Sequence, residues 1–357
     1  MDSLELLREN RPEGERPTPE AITAARAALM NAIDAEKQGS TARTKTAPKR
    51  RLAAGWRWGL TGAAAAAAAG ALVLTQALSP VDTPLGPDPA AAAILEQAAD
   101  NAVRFSDPQL TPGQYLKVTT TERGIATGDG VEFWTGEDSV KYVPADPNAP
   151  WVQIRVGTGP LRPAGATTPQ QFSAIVADYE RVDPETGRLP DRTEYLSALG
   201  GDFYPQANGV THAEWLAIGD PSATPQQLLD RIRQETTGAG RSPDHEAFVW
   251  LSDRLRTGEL DATTRSLFYR TAALIPGVTV AESTVVLDGR SGVALWAPPL
   301  ADRSRTQLVL NPETGAYIGE REYAPVSDED GAELALRSTQ TSTQSVVDEA
   351  PAAPDTP

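Results

Sequence analysis

Apolar and polar positions change from one periodicity to another several times along the chain. After Pro112-Gly113, apolar and polar residues alternate, which is typical of strands with one buried face. Between about residues 169 and 275, apolar residues recur every three or four positions, which is typical of amphipathic helices. From Val278 the alternation returns. The pattern predicts a helix, about four strands, a helical middle and about five further strands.

The strands predicted from this alternation are bounded by Gly, Pro, Asn and Asp, the residues that favour turns. Before the helical middle they are Gln114–Glu122, Val131–Thr135, Ser139–Val143 and Trp151–Val156. The second and third of these are predicted to pair as a hairpin around Gly136-Glu137-Asp138. After the helical middle they are Val278–Glu282, Thr284–Leu287, Gly292–Ala297, Thr306–Leu310 and Ala316–Tyr323.

Helix starts are marked by Ser, Thr or Asp, two of them followed by Pro, the combination that caps a first turn. Three helices of the middle are predicted to begin at Thr224-Pro225, Ser242-Pro243 and Asp261. A helix is also predicted over Ala90–Val103, and a shorter one over Thr193–Leu199.

Residues 90–325 are therefore predicted to form one α+β domain, with a curved, half-barrel-like antiparallel sheet whose open face is covered by helices. Residues 326–357 are rich in Ser, Thr, Ala, Pro and acids and have few large apolar residues, so we expect a disordered acidic tail.

An uncharged stretch over residues 58–78 predicts a single transmembrane helix. At about 1.5 Å per residue, 21 residues span roughly the 30 Å of a bilayer core. With nine Ala and four Leu the stretch is only weakly hydrophobic, which leaves a soluble alanine-rich helix as one alternative. A cleaved signal peptide is the other, although the charged region before it is much longer than a usual signal-peptide n-region.

The formal net charge of −16 is unevenly distributed around this stretch. Residues 1–36 carry −4, residues 37–57 carry +7, and residues 79–357 carry −19. The positive-inside rule therefore places the N-terminus in the cytoplasm and the large C-terminal domain outside the membrane. The residues that set this orientation are the basic and aromatic ones next to the span: Lys49, Arg50, Arg51, Trp56, Arg57 and Trp58.

Residues 1–38 are predicted to be a short helical cytoplasmic segment, followed by a basic linker over 39–57; a Pro-rich spacer over 79–89 follows the span. Two short helices bury each other poorly, so they either dock onto a cytoplasmic partner or form a marginally stable leader. The apolar residues that would contact a partner are Leu4, Leu7, Ile22, Leu29 and Ile33.

Composition narrows the chemistry. The absence of Cys excludes disulfides, thiol nucleophiles and Cys-ligated zinc, and the acidic total argues against direct nucleic-acid binding. His212 and His245 lie 33 residues apart, without the spacing of a helical zinc pair. No nucleophile, phosphate-binding or dinucleotide motif is present, so we expect neither an enzyme nor a cofactor, although a pair of carboxylates for glycoside cleavage stays open. We expect the tryptophans, Trp134, Trp151, Trp215, Trp250 and Trp296, to serve the core more than a ligand platform.

An ordered set of segments resembles an uncharacterised family of actinobacterial single-pass membrane proteins. The segments are MDSLELLRENRP, PEAITAARAALMNAI, the basic run with its Ala-rich span, ILEQAADNAV, PGQYLKV, LFYRTAALIPGVTVAES, DGRSGVALW and LVLNPETGAYIGERE. Members of this family are often found beside extracytoplasmic-function sigma factors, so the resemblance implies a sensor or anti-sigma-like regulator with a sigma factor as cytoplasmic partner.

The resemblance also extends to the outer domain, while residues 1–57 depart from the pattern of better-known anti-sigma proteins. The outer domain is similar to the half-barrels of lipoprotein carriers and envelope-stress sensors, which implies, as the alternative, a binding module for lipid or another apolar envelope ligand. Zinc-binding anti-sigma domains use a His and paired Cys, whereas residues 1–57 contain neither, so that mechanism is excluded.

Overall fold

The computed structural model describes residues 86–352, except 106, 129, 183–191, 205–208, 219–221 and 328–332. The predicted cytoplasmic segment, basic linker and transmembrane span lie outside these residues, and so do all the predicted orientation and partner-contact residues. Among the helices that are described, none combines the length and the apolar character that a membrane crossing requires.

Ten strands of the described residues form one curved antiparallel sheet. In chain order they are β1 (Tyr115–Gly128), β2 (Val131–Pro144), β3 (Pro150–Gly157), β4 (Arg162–Pro163), β5 (Thr193–Leu199), β6 (Thr279–Leu287), β7 (Arg290–Trp296), β8 (Arg305–Asn311), β9 (Ala316–Pro325) and β10 (Leu334–Val347). Across the sheet the order is β5-β3-β2-β1-β10-β9-β8-β7-β6, and β4 pairs with β2. With its helices this is an α+β fold, as predicted.

The prediction of a disordered tail over 326–357 is wrong for the described part of that segment. β10 lies in the middle of the sheet, where it pairs with β1 from Tyr115↔Val347 to Gly124↔Ser338 and with β9 on its other side. Its sequence looks like a solvated linker because Ser, Thr and Gln fill both faces. Threonine nevertheless favours strands, and two neighbouring strands provide partners for the backbone hydrogen bonds.

Two predictions within the β1–β5 half are also wrong. Residues 131–144 form one strand, β2, because Gly136 does not mark a turn: a Cβ there would lie 1.9 Å from the Glu122 carbonyl oxygen, so glycine allows β1 to approach closely. Residues 193–199 form strand β5 beside β3 and not a helix. Seven residues are too few for their apolar spacing to distinguish the two periods.

The other predicted strands are confirmed except at one interruption. Val278–Glu282 and Thr284–Leu287 are predicted as separate strands, whereas β6 is continuous and pairs with β7 throughout. Its register shifts between Val280 and Glu282 and again between Glu282 and Val285. A bulge of this kind interrupts the alternation without ending the strand.

Three of the described helices begin at the predicted caps, Thr224, Ser242 and Asp261. The described helices are α1 (Pro89–Arg104), α2 (Pro169–Tyr179), α3 (His212–Leu216), α4 (Pro225–Glu235), α5 (Pro243–Leu255) and α6 (Ala262–Ala272). Asp88 accepts hydrogen bonds from the first backbone N–H groups of α1, and Asp261 accepts one from Thr264 N at 2.9 Å. Thr224 forms a reciprocal capping box with Gln227 at the start of α4.

The main core lies between the helices and only one half of the sheet. Fully buried side chains of α1, α4, α5 and α6 pack against β7, β8 and β9, with Leu95, Ile232, Phe268, Leu295 and Leu308 near its centre. The same face of β1, β2 and β3 carries mainly polar and charged residues such as Thr120, Glu137 and Arg155. The boundary between the two halves is therefore where an open polar surface meets the helical layer.

Candidate functional site

A row of four polar side chains crosses this boundary from strand to strand. Glu137 of β2 is paired with Glu122 of β1, Glu122 with Gln340 of β10, and Gln340 with Glu320 of β9. Residues paired directly across antiparallel strands share one face of the sheet. The register therefore sets three carboxyl side chains and one amide in line on the face that meets the helices.

The row forms the floor of a cleft of about 440 Å³, with Arg256 from the end of α5 beside it. A neighbouring cleft of about 400 Å³ shares Glu122, Glu137, Arg256 and Gln340 with the first. A third, of about 280 Å³, shares Lys141, Gln153, Tyr204 and Trp215 with the second. The three are continuous through these shared walls, and we call them together the polar cleft.

Glu320 is a deeply buried acid in the floor of the cleft. Only 7% of the residue is exposed, and its Oε1 atom has no hydrogen-bond partner among the described residues. Burial raises the pKa of Glu320 to about 7; Arg256 and the Ser252 hydroxyl oppose that rise, whereas Glu322 and Glu122 add to it. The carboxyl group is therefore poised to exchange a proton near neutral pH.

Most cations around the cleft are already paired. Arg155 donates to Glu137 at 2.7 Å and to Glu194 at 3.0 Å, and Arg256 pairs with Asp253. No ion pair formed by the described residues includes Glu122, Glu320 or Glu322. The cleft thus has a surplus of negative charge around Glu320.

At the far end of the cleft, Glu259 holds two basic side chains. It is paired with Lys141 Nζ through Oε1, and its Oε2 lies 2.5 Å from His212 Nε2, while only 3% of the Glu259 side chain is exposed. Burial by itself would raise the pKa of Glu259, but Lys141 and His212 outweigh it and keep that pKa below its ordinary value. The His212 ring also stacks on Trp215 at 6.0 Å between ring centroids. This cluster fixes the wall of the cleft.

The two histidines are in different environments. His245 is buried in α5, with Nδ1 2.9 Å from the Pro298 carbonyl oxygen, whereas His212 lines the polar cleft. Within the described part of the chain, no group of three or more His, Cys, Asp or Glu is arranged to hold a metal ion.

The tryptophans divide between core and cleft. Trp250 belongs to the main core, and Trp134 and Trp151 are buried elsewhere, in agreement with the expectation for core residues. Trp215 lines the polar cleft, where Arg254 lies over its ring at 4.5 Å. Trp296 packs edge-on against Tyr323 at 5.4 Å.

The residues of the row were not singled out by their sequence context. Glu122 and Glu137 stand among other polar residues, and Gln340 lies in the segment predicted to be disordered. The available signal is Glu320, a charged residue that closely follows the apolar pair Tyr317 and Ile318 in GAYIGERE, a segment predicted to be a strand. A charged residue at a core position indicates a special environment, but not its partners.

Comparisons with known proteins add little to this picture. No family model matches the chain, and no curated protein matches it. One solved structure, that of a DUF1329 family protein from Desulfovibrio piger ATCC 29098 at 1.75 Å resolution, is 11% identical and covers 71% of this chain and 92% of its own, with a TM-score of 0.18. Neither the fold nor the function of this chain is inferred from a likeness of this size.

Proposed function

We propose that this chain is a single-pass, membrane-anchored envelope protein with a half-barrel-like outer domain. This domain binds an extended organic cation in the polar cleft. The supporting observation is the row Glu137–Glu122–Gln340–Glu320, in which Glu122 and Glu320 have no cationic partner among the described residues. Glu122 is exposed, whereas Glu320 is buried, and an unpaired buried carboxylate is costly, so a bound ammonium group would compensate it.

The spacing of the row favours an organic cation over a metal ion. Neighbouring strands lie about 4.8 Å apart, so Glu122 and Glu320, two strands apart, are separated by about 10 Å. A metal ion needs its ligands within a few ångströms of a common centre, which this row does not provide. A flexible chain with two ammonium groups, such as a polyamine, matches the separation.

The anchor and the orientation are part of the same proposal. The basic run over 37–57, the uncharged stretch over 58–78 and the acidic remainder support a cytoplasmic N-terminus and an outer domain. In this arrangement the cleft faces the envelope and the chain acts by binding, without an enzymatic step.

Spermidine is a suitable probe for the cleft. We expect the full chain in lipid nanodiscs to bind it in isothermal titration calorimetry, and Glu320→Gln and Glu122→Gln each to weaken binding about tenfold, the loss typical of one charge-assisted hydrogen bond. Because a bound cation favours the charged form of Glu320, affinity should rise between pH 6 and pH 8, with proton release in that range.

The matched control is Glu313→Gln, an exposed turn residue outside the cleft, which should leave spermidine binding unchanged. Equal affinity in wild type and Glu320→Gln, or no binding at all, would contradict the proposal. Octane-1,8-diol, which is neutral, tests the alternative of an apolar envelope ligand. Binding of the diol in place of spermidine would favour that alternative.

The orientation can be tested with cysteine reporters, because the chain contains no natural Cys. Val326 is 63% exposed, and Thr46 lies in the basic linker. We expect Val326→Cys, but not Thr46→Cys, to react with a membrane-impermeant maleimide on intact cells. Both should react after permeabilisation. Labelling of Thr46→Cys on intact cells would contradict a cytoplasmic N-terminus.

A second candidate role is that of a sensor that regulates a cytoplasmic partner such as a sigma factor. The specific observation in its favour is the amphipathic stripe of Ile22, Leu29 and Ile33 next to the membrane-proximal basic run. We expect a sigma factor to co-purify with the full chain, and Leu29→Asp to abolish the association. Co-purification that is the same for Leu29→Asp and wild type would contradict this role.

A further inference from the structure

A second cleft, of about 390 Å³, lies on the other side of the loop that follows α5. Gly258 of that loop lines it, whereas Arg256 lines the polar cleft. Its polar wall contains Arg265 of α6, Arg290 of β7 and Ser342 of β10. We call it the arginine cleft.

Both guanidinium groups are held in place by the protein. The two terminal nitrogens of Arg265 donate to Asp107 Oδ1 at 2.7 Å and to the Leu260 carbonyl oxygen at 2.9 Å. Those of Arg290 donate to the carbonyl oxygens of Ser342 at 2.7 Å and Ile318 at 3.0 Å. Neither side chain needs to be ordered when a ligand arrives, which lowers the entropic cost of binding.

Three polar atoms of this wall are buried and have no hydrogen-bond partner in the part of the chain that the structure describes. They are Arg265 Nε, Arg290 Nε and Ser342 Oγ. A buried donor that stays unpaired costs folding free energy, and most buried donors in proteins are hydrogen-bonded. Three unpaired donors in one cleft are therefore unusual. All three can donate, and two belong to cations, so their natural complement is an oxyanion.

The charge of the cleft agrees with that complement. Its lining contains two guanidinium groups against one carboxylate, Asp107, in a chain of net charge −16. Asp288, which is not part of the lining, forms a long ion pair with Arg290 at 3.8 Å. Burial lowers the pKa of Arg290 although Asp288 opposes this change, so the guanidinium is incompletely compensated.

The remaining walls are apolar. Leu255, Leu260 and Tyr317 are buried along one side, and Phe105, 56% exposed, stands in the lining with Pro108. A ligand with an apolar tail would cover this surface while its charged head meets the arginines. We propose that the arginine cleft binds the oxyanion head of an amphiphile, a phosphate or carboxylate attached to an alkyl chain. The proposal is independent of the polar cleft.

Hexyl phosphate tests this proposal directly. We expect the full chain in lipid nanodiscs, with empty nanodiscs as the blank, to bind hexyl phosphate at least tenfold more tightly than inorganic phosphate, because burial of each CH₂ group of the alkyl chain is favourable. Hexylamine, which carries the same chain and the opposite charge, should not displace hexyl phosphate. Hexanoate should bind if the head group is recognised through its charge and acceptor oxygens alone.

Ser342→Ala is the most informative variant. Because Ser342 Oγ has no hydrogen-bond partner among the described residues, alanine should not lower the thermal stability, while hexyl phosphate affinity falls about fivefold to tenfold with the loss of one hydrogen bond to a charged group. Arg290→Gln should abolish binding. Arg241→Gln, whose side chain is 61% exposed and lies outside the cleft, is the control and should bind normally.

Several outcomes would overturn the inference. They are no binding of hexyl phosphate, equal affinity in wild type and Ser342→Ala, and displacement of hexyl phosphate by hexylamine at similar concentration. Equal affinity for inorganic phosphate and hexyl phosphate would also overturn it, since the site would then bind a free oxyanion and not an amphiphile. Spermidine binding should be unchanged in Ser342→Ala. A failure of the arginine-cleft proposal can therefore be distinguished from a failure of the polar-cleft proposal.

Discussion

Glu122 on β1 lies directly opposite Glu137 on β2, so two carboxylates face each other across a strand pair. Like charges in this position are destabilising. Arg155 compensates Glu137 at 2.7 Å, but no described residue forms an ion pair with Glu122. The row therefore lowers the stability of the unliganded domain, which is common where residues serve binding and not packing.

Glu320→Gln should make the domain more stable at alkaline pH. The folded pKa of about 7 lies above the ordinary 4.5, so the unfolded chain releases this proton first and wild-type stability falls as pH rises from about 4.5 to 7. The neutral amide avoids that loss. We expect a gain of about 3 kcal/mol at pH 8 and almost none at pH 4, measured by urea unfolding.

Glu313→Gln is the control for this measurement. It removes one exposed carboxylate from a turn, so its effect should stay within about 0.5 kcal/mol at both pH values. A gain in Glu320→Gln that is the same at pH 4 and pH 8, or absent at pH 8, would show that burial of this carboxyl group does not disfavour its charge.

Glu259→Gln should strongly destabilise the domain, because it leaves Lys141 in a largely buried site without its counter-charge. Loss of one partner from a buried ion pair typically costs about 3–5 kcal/mol. Since the pKa of Glu259 is lowered, its contribution is present above the ordinary 4.5 and is lost as pH falls below it. Urea unfolding at pH 7 and pH 3.5 should therefore show a smaller difference between variant and wild type at pH 3.5.

Glu235→Gln provides the matched comparison. Glu235 pairs with Arg231 on the surface of α4, with about 40% of each side chain exposed, and such pairs contribute about 0.2–1 kcal/mol. If Glu259→Gln costs no more than Glu235→Gln, the buried cluster does not hold the wall of the cleft.

Local signals were sufficient for most elements but not for their arrangement. Thr224, Ser242 and Asp261 each form a cap that sequence shows directly, and all three start helices. Gly136 looks like a turn residue, yet it lies inside a strand because β1 passes close to it. The difference depends on a neighbouring strand that local sequence does not identify.

The polar cleft was hidden for the same reason. Glu122 and Glu320 are 198 positions apart and become neighbours only through Gln340 of β10. That strand is polar on both faces, so its composition favours disorder. Without β10 as a strand, the pairing that brings Glu122 and Glu320 into one row cannot be predicted. The span over 58–78 and the contacts of Leu4 or Ile22 stay predictions.

A chain that ends after Ser327 should not fold cooperatively. β10 provides the hydrogen-bonded connection between β1 and β9, and without it both strands become unpaired edges in the middle of the sheet. We expect loss of the sigmoidal urea transition and of near-UV circular dichroism. A chain that ends after Ala352 retains every described strand and should unfold like wild type. A cooperative transition in the shorter chain would refute the central place of β10.

Gly258→Ala should destabilise the domain more than Gly238→Ala. Both glycines have a left-handed φ, +69° and +78°, so alanine carries a similar backbone penalty of about 1 kcal/mol at each. A Cβ at Gly258 would also lie 2.6 Å from Val118 Cγ1 and 2.8 Å from Ser342 Oγ, whereas one at Gly238 meets nothing within 4 Å. Overpacking should add about 1–3 kcal/mol at Gly258 alone, measured by urea unfolding. Val118 belongs to β1 and Ser342 to β10. The difference in stability between the two variants therefore measures how tightly the loop between the two clefts packs against these two strands. Equal losses in the two variants would mean that the loop is free to move away from β1 and β10.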